Sequence, residues 1–330
     1  MSVLLSRRTL LSASASIAVA GTMPSARAAE ALTFAWSPAP QMPQVDIALA
    51  EKSFEHAGLD VTVATFPTGR EAFEALTGGQ ADLASMAELP AVIGALRGQD
   101  FGVVADLARY KGSRIIATEA SGIDAPAKLA GKRIGVTLGT NTDFYLSKVL
   151  EAAGVTAEIV NAAPPDLLPA LVRGDVDAIV PFPNVYPAAR ATLGAKYREI
   201  RSGVYEPHYI IAASRAALTN KAAAISRFLG VLRDADKMVA NDPDKVAAAV
   251  VATLKGNVAA AAIKAGWSET EIATRLGPDL ATLLLQQAQW VAAKGAIKVG
   301  KPVTAETLAP FIAPGPLRTA APDAVTVANP

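Results

Sequence analysis

The sequence predicts an α/β protein of two lobes, each a mostly parallel sheet flanked by helices, with a cleft between them. Three observations carry this. β-rich runs and runs of helical period alternate through the first half of the chain, the signature of β-α-β crossovers. A repeat follows: Ala75-Leu76-x-x-Gly79-x-x-Asp82 is matched by Ala170-Leu171-x-x-Gly174-x-x-Asp177, and Ala57-Gly58-Leu59 by Ala153-Gly154-Val155, at offsets of 95 and 96 residues. Between the copies, residues 131–154 read as a strand, a tight loop and a helix. Arg133 to Leu138 is the strand; Thr140-Asn141-Thr142-Asp143 supplies side-chain oxygens that can cap a helix. Such a loop points free N–H groups at one spot, suited to an anion or a polar head, although an ordinary capped helix reads the same way.

Taken in order, the first 28 residues form a targeting segment. Arg7-Arg8 is a twin-arginine n-region, Leu10 to Gly21 a short apolar stretch, and Ala26-Arg27-Ala28 a small-x-small cleavage site. Cleavage there predicts export to a bacterial periplasm. The chain has no cysteine, which excludes disulfides, thiolate metal sites and a lipid-modified cysteine. Without the segment, 28 basic residues face 30 acidic ones, a balance that points to neither nucleic acid nor an anionic membrane surface.

Leu32 to Trp36 is the first strand, and residues 37–41 a proline-bearing loop. Val45 to Phe54 predicts one amphipathic helix, Leu59 to Phe66 a strand, and Thr68-Gly69-Arg70-Glu71 a capping box opening the next helix. Ala81 to Met86 and Phe101 to Leu107 are strands three and four, with a helix from Glu88-Leu89-Pro90 between them. Arg109 to Gly112 is a polar break where the chain first crosses between lobes. Val155 to Val160 and Val176 to Val180 are strands of the second lobe, and residues 209–213 a strand leading back. From Asn220 onward the sequence reads as nearly all helix: Ile225 to Ala240, Pro243 to Lys255, Ser268 to Arg275 behind a Ser268-x-x-Glu271 capping box, and Pro278 to Lys294. The expected division is residues 29–112 with 215–318, residues 113–214, and a mobile tail at 319–330.

Three further stretches fill out a pattern. They are Gly79-x-x-Asp82 with Pro90, Leu129-x-Gly131-Lys132-x-Ile134-Gly135-Val136-x-x-Gly139-Thr140, and Gly174-x-Val176-Asp177-Ala178 with the late Gln289…Gly295-x-Ile297. In order and spacing they resemble the periplasmic substrate-binding proteins of ABC importers for aliphatic sulfonates, taurine and nitrate, relatives of the thiamine-pyrimidine-precursor binders. The resemblance implies a type II periplasmic binding fold, capture of a small polar solute by lobe closure, delivery to a membrane permease driven by its ATPase, a monomer, and no cofactor or metal. The sequence departs from that pattern at Ala87, at Thr140 and at Phe182-Pro183-Asn184, where an aromatic-acidic-proline trio is usual.

Ligands of open α/β sheets sit beyond the carboxyl ends of the strands. That rule selects Trp36, Met86 and Phe182 as candidate walls. It selects Gln41, Thr68, Gly69, Thr140, Asn141, Thr142 and Asn184 as candidate polar contacts. Glu88 has two readings: facing the cleft it favours an amine or ring N–H, and at a helix start it settles the dipole. His208 lies near the return crossing, and closure is expected to hinge at Tyr110–Gly112 and Ala213–Arg215. No nucleophile–base pair or His-rich metal spacing is visible, so an enzyme is the minor alternative, beside a solute sensor for a membrane receptor.

Overall fold

In the computed structural model, which describes residues 29–295, 297–300 and 302–327, the strands form two sheets. The targeting segment at 1–28 lies outside the described residues. In the first half β1 (Glu30–Trp36), β2 (Leu59–Thr65), β3 (Leu83–Ala87) and β4 (Phe101–Tyr110) are joined through α1 (Pro43–Ala50), α2 (Ser53–His56), α3 (Gly69–Thr77) and α4 (Leu89–Leu96). The single helix expected over 45–54 is two, because Lys52 adopts a left-handed φ of 53°. The chain then builds β5 (Arg114–Thr118), β6 (Arg133–Val136), α5 (Asn141–Ala153), β7 (Glu158–Asn161), α6 (Pro164–Arg173), β8 (Ala178–Val180), α7 (Tyr186–Leu193) and β9 (Tyr197–Arg201). It returns through β10 (His208–Ser214), α8 (Arg215–Asn220), α9 (Ala222–Asn241), α10 (Pro243–Thr253), α11 (Ala260–Trp267), β11 (Thr270–Arg275) and α12 (Pro278–Ala293), and ends on α13 (Ala305–Leu308) and α14 (Gly315–Ala320).

The six-stranded sheet runs β11-β4-β10-β3-β1-β2 and the five-stranded sheet β7-β6-β8-β5-β9. Both share one plan: three parallel strands, then an antiparallel strand that arrives from the other half, then a fourth. The arriving strands are β10 and β5. Antiparallel pairs therefore make up more of each sheet than the crossover pattern alone suggests. All ten residues of β4 are buried, the continuous burial expected of a strand covered on both faces.

The sequence repeat has a structural explanation. Gly79 and Gly174 turn their helix ends at φ 75° and 80°. Asp82 and Asp177 then stitch the start of the third strand to the first: each carboxylate accepts a backbone N–H, from Thr33 at 2.8 Å and from Arg133 at 2.9 Å. The Arg133 guanidinium holds the Asp177 pKa below the usual carboxylate range. Asp177→Ala is expected to lower stability by about 1–3 kcal/mol, read by urea unfolding, because it strands a strand-end amide, while Arg133 keeps its bonds to Gly174 O and Asp175 O. A loss under about 0.5 kcal/mol would show the clasp to be idle.

Four further sequence expectations are corrected. Residues 270–275 form a strand on the edge of the larger sheet, antiparallel to β4. Ser268 does not cap a helix there; its hydroxyl donates back to Ala265 O at 2.7 Å, and Glu271 pairs with Arg109. The return crossing lies at 202–207, before β10, so the boundary drawn at 214 and the hinge at Ala213–Arg215 fall inside the first sheet, where Ala213 pairs with Leu83 and Gly102. The polar break begins only after Tyr110, since Arg109 and Tyr110 are buried in β4. Finally, the tail expected to be mobile is docked as far as Val327: Leu276 O accepts from Thr326 and Val327, and Ala321 and Ala324 are buried.

Candidate ligand-binding cleft

The carboxyl ends of β1, β2 and β3 in one sheet and of β6 and β8 in the other converge on a small cavity of about 60 Å³. From the larger sheet come Pro38, Gln41, Thr68, Gly69 and Met86; from the smaller, Asn141, Phe182 and Asn184. Seven sequence-selected residues are therefore brought together: Gln41, Thr68, Gly69, Met86, Asn141, Phe182 and Asn184. Tyr209 on β10 also lines the cavity and was not anticipated, because β10 enters this sheet from the far side of the chain.

Two helices begin at the cavity, one from each sheet. Thr68 caps α3, its hydroxyl accepting from Glu71 N at 3.2 Å. Gly69 is required by close approach: a Cβ there would lie 2.7 Å from Met86 Cβ and 2.8 Å from its Cα. That contact presses the first turn of α3 against the end of β3. α5 has no side-chain cap. The Thr140 hydroxyl instead donates to Thr137 O at 2.7 Å and shares a 2.8 Å bond with Thr142 Oγ1, while Asp143 accepts from Gly139 N at 3.1 Å. The first amides of a helix have no intrahelical acceptor, so the starts of α3 and α5 bring N–H donors and positive dipole ends to one place. Arg70 spans the cleft mouth, donating to Leu138 O at 3.2 Å.

Four sequence-selected residues do not line the cavity. Trp36 is core, its ring stacked on Phe34 at 6.5 Å. Thr140 and Thr142 are buried in the bonds just described. Glu88 is fully buried behind the cavity: it accepts from Tyr205 OH, from His208 N at 3.0 Å and from Gln287 Nε2 on α12. Burial raises its pKa in spite of the His208 charge and the Tyr205 bond. Glu88 does not face the cleft; it stands at the start of α4, as the second reading had it, and ties the return crossing to α4 and α12. Among the described residues the cavity lining carries no carboxylate and no cation.

Next to this cluster, Asp106, His208 and Asp279 offer ligand atoms within 4.8 Å of one another. Arg109 Nη1 already sits 2.9 Å from Asp106 Oδ2, and His208 Nδ1 2.8 Å from it, so the group is an ion-pair network in which a cation meets an existing guanidinium.

A second, larger chamber of about 450 Å³ shares Pro40, Gln41 and Pro183 with the first. Among the described residues no helix is long and apolar enough to cross a membrane.

Comparison with known proteins bears on the family and the fold. The chain is 24% identical over 193 residues to an Escherichia coli (strain K12) protein assigned to aliphatic-sulfonate binding, and 29% identical over 135 residues to the taurine-binding periplasmic protein of the same organism. These alignments cover 57% and 40% of this chain and only 60% and 42% of the relatives' own lengths. The fold matches the alkanesulfonate-binding protein SsuA of Xanthomonas axonopodis pv. citri, solved bound to MOPS, with a TM-score of 0.73 at 19% identity over 86% of this chain and 98% of that one. The desulfurization enzyme DSZB shares the fold too, with a TM-score of 0.66 at 18% identity over 87% of this chain and 98% of that one. The fold is thus that of the periplasmic binding proteins. A family model described as NMT1/THI5 like matches residues 46–287, and the chain belongs to that family.

Proposed function

We propose that the protein is the solute-binding component of an ABC import system and that its solute carries a sulfonate-like anionic head. The observation supporting this is the pairing of two helix N-termini, from opposite sheets, around a cavity without a charged side chain among its described lining residues. A delocalised anion suits such donors: it accepts several N–H bonds and requires no counter-ion. With Glu88 turned away, no carboxylate of the described lining greets an ammonium or a ring N–H, which favours simple sulfonates over taurine and over pyrimidines. Closure would occur about the crossings at 111–113 and 202–207, with Arg70 and Leu138 meeting as the cleft shuts. The closed form would then dock on a permease powered by its ATPase.

A thermal-shift panel tests the reading. An alkanesulfonate at 100 times its dissociation constant is expected to add about 2.7 kcal/mol of stability. Gly69→Ala, which drives Cβ against Met86 and displaces the start of α3, is expected to weaken that binding by about tenfold. Silence toward methanesulfonate, propanesulfonate and taurine alike would end the reading. Turnover of a bound sulfonate would move the protein to the enzyme class that DSZB represents.

A further inference from the structure

We infer that the solute is elongated. Its anionic head occupies the small cavity, a hydrogen-bond donor near the head meets Gln41, and a planar aromatic or heterocyclic tail fills the second chamber. This rests on the anion-head reading and adds the chemistry of the rest of the molecule.

Gln41 carries the argument. It is 2% exposed, it lines both cavities, and its Oε1 is buried without a hydrogen-bond partner among the described residues. An orphaned buried amide oxygen costs free energy, and the partner it lacks is a donor: an N–H or O–H placed between the two cavities. A short alkanesulfonate has no such group. Trp267 fixes the wall between the chambers, since its indole N–H donates to Pro40 O at 2.8 Å. Trp267 also lines the second chamber, together with Tyr110 and Tyr186. Three aromatic side chains in one lining suit a flat tail.

The chamber also has a charge sign. Arg114, Arg190 and Arg201 line it, with Glu269 as the acidic member of the described lining. Arg114 and Arg201 pair with Glu269, and Arg190 pairs with Glu199, so the cations are held in place while the lining stays net positive. A tail bearing a cation is disfavoured and a neutral or anionic one is accepted. The chamber is about 450 Å³ against about 60 Å³ for the head cavity, so most of the solute's surface would be buried there.

Isothermal titration with methanesulfonate, 2-methylbenzenesulfonate and 2-aminobenzenesulfonate, whose amino group lies beside the anionic head, separates the parts. The aryl sulfonates are expected to bind about tenfold or more tightly than methanesulfonate. The amino compound should exceed its methyl analogue, and Gln41→Leu should abolish that last difference. Gly266 lines the chamber, and a Cβ placed on it would meet nothing within 4 Å, so Gly266→Phe adds bulk to the lining from an unhindered Cβ. It should collapse the aryl-to-methyl affinity ratio toward one. If methanesulfonate binds and the aryl compounds gain nothing, if Gly266→Phe leaves the ratio intact, or if Gln41→Leu leaves the amino gain intact, the elongated solute is overturned while the anion-head reading stands. If no sulfonate of any length binds, both fall.

Discussion

Asp106→Ala is expected to destabilise the protein by about 3–5 kcal/mol, measured by urea unfolding near neutral pH. Asp106 is fully buried on β4, a strand covered on both faces, and its carboxylate holds Arg109 at 2.9 Å and His208 at 2.8 Å. Removing it leaves a guanidinium with 3% side-chain exposure facing Glu271, which is half exposed at the sheet edge. Uncompensated buried charge is the costly state; the rim pair is not. Glu271→Ala is accordingly expected to cost about 1 kcal/mol or less. The pH dependence gives a second readout. Burial works against the His208 imidazolium, but the Asp106 carboxylate outweighs it and lifts the pKa above its ordinary value. The stability this contributes is complete below the unfolded value of about 6.5 and fades as pH rises through the higher folded value. Asp106→Ala should lose that slope. Equal costs for the two variants would refute the network.

Asp46→Asn is expected to act in the opposite direction, stabilising the protein in alkali. Asp46 lies on α1 beneath α9 and α10, 3% exposed, and neither carboxylate oxygen makes a well-formed hydrogen bond. Burial outweighs the neighbouring Thr253 hydroxyl and pushes the carboxyl pKa up to about 7. The folded state therefore keeps its proton to a higher pH than the unfolded chain, which titrates near about 3.9. Stability falls between about pH 4 and about pH 7, by on the order of 4 kcal/mol in total. The asparagine variant carries no titration and should lack this decline. The difference between the two proteins should vanish below about pH 4 and be largest at about pH 8. Parallel stability curves across that range would show that Asp46 is hydrated or paired.

How far the sequence reached can be followed residue by residue. The loops at residues 37–41, 68–69, 141 and 182–184 were identified because each follows a strand within one strand–loop–helix unit, where spacing alone fixes their place. Trp36, Thr140 and Thr142 lie within a residue or two of the cavity yet face elsewhere, since a strand reverses its facing at every residue and a helix start turns through about 100° per residue. The strand at 270–275 alternates Thr270, Ile272 and Thr274, a period-2 signal overridden by the apparent Ser268-x-x-Glu271 cap. Tyr209 left no local trace, because its position depends on β10 inserting between β3 and β4.

The sequence by itself determined the α/β units, their duplication and the family to which the chain belongs, because these follow from periodicity and from capping and turning residues close together in the chain. Tertiary structure alone decided that Glu88 binds Tyr205, His208 and Gln287, that β10 and β5 each join the sheet of the other half, and that Gln41 Oε1 has no hydrogen-bond partner among the described residues where two chambers meet. Those outcomes depend on groups far apart in the chain, and which distant groups share a buried space is set by packing.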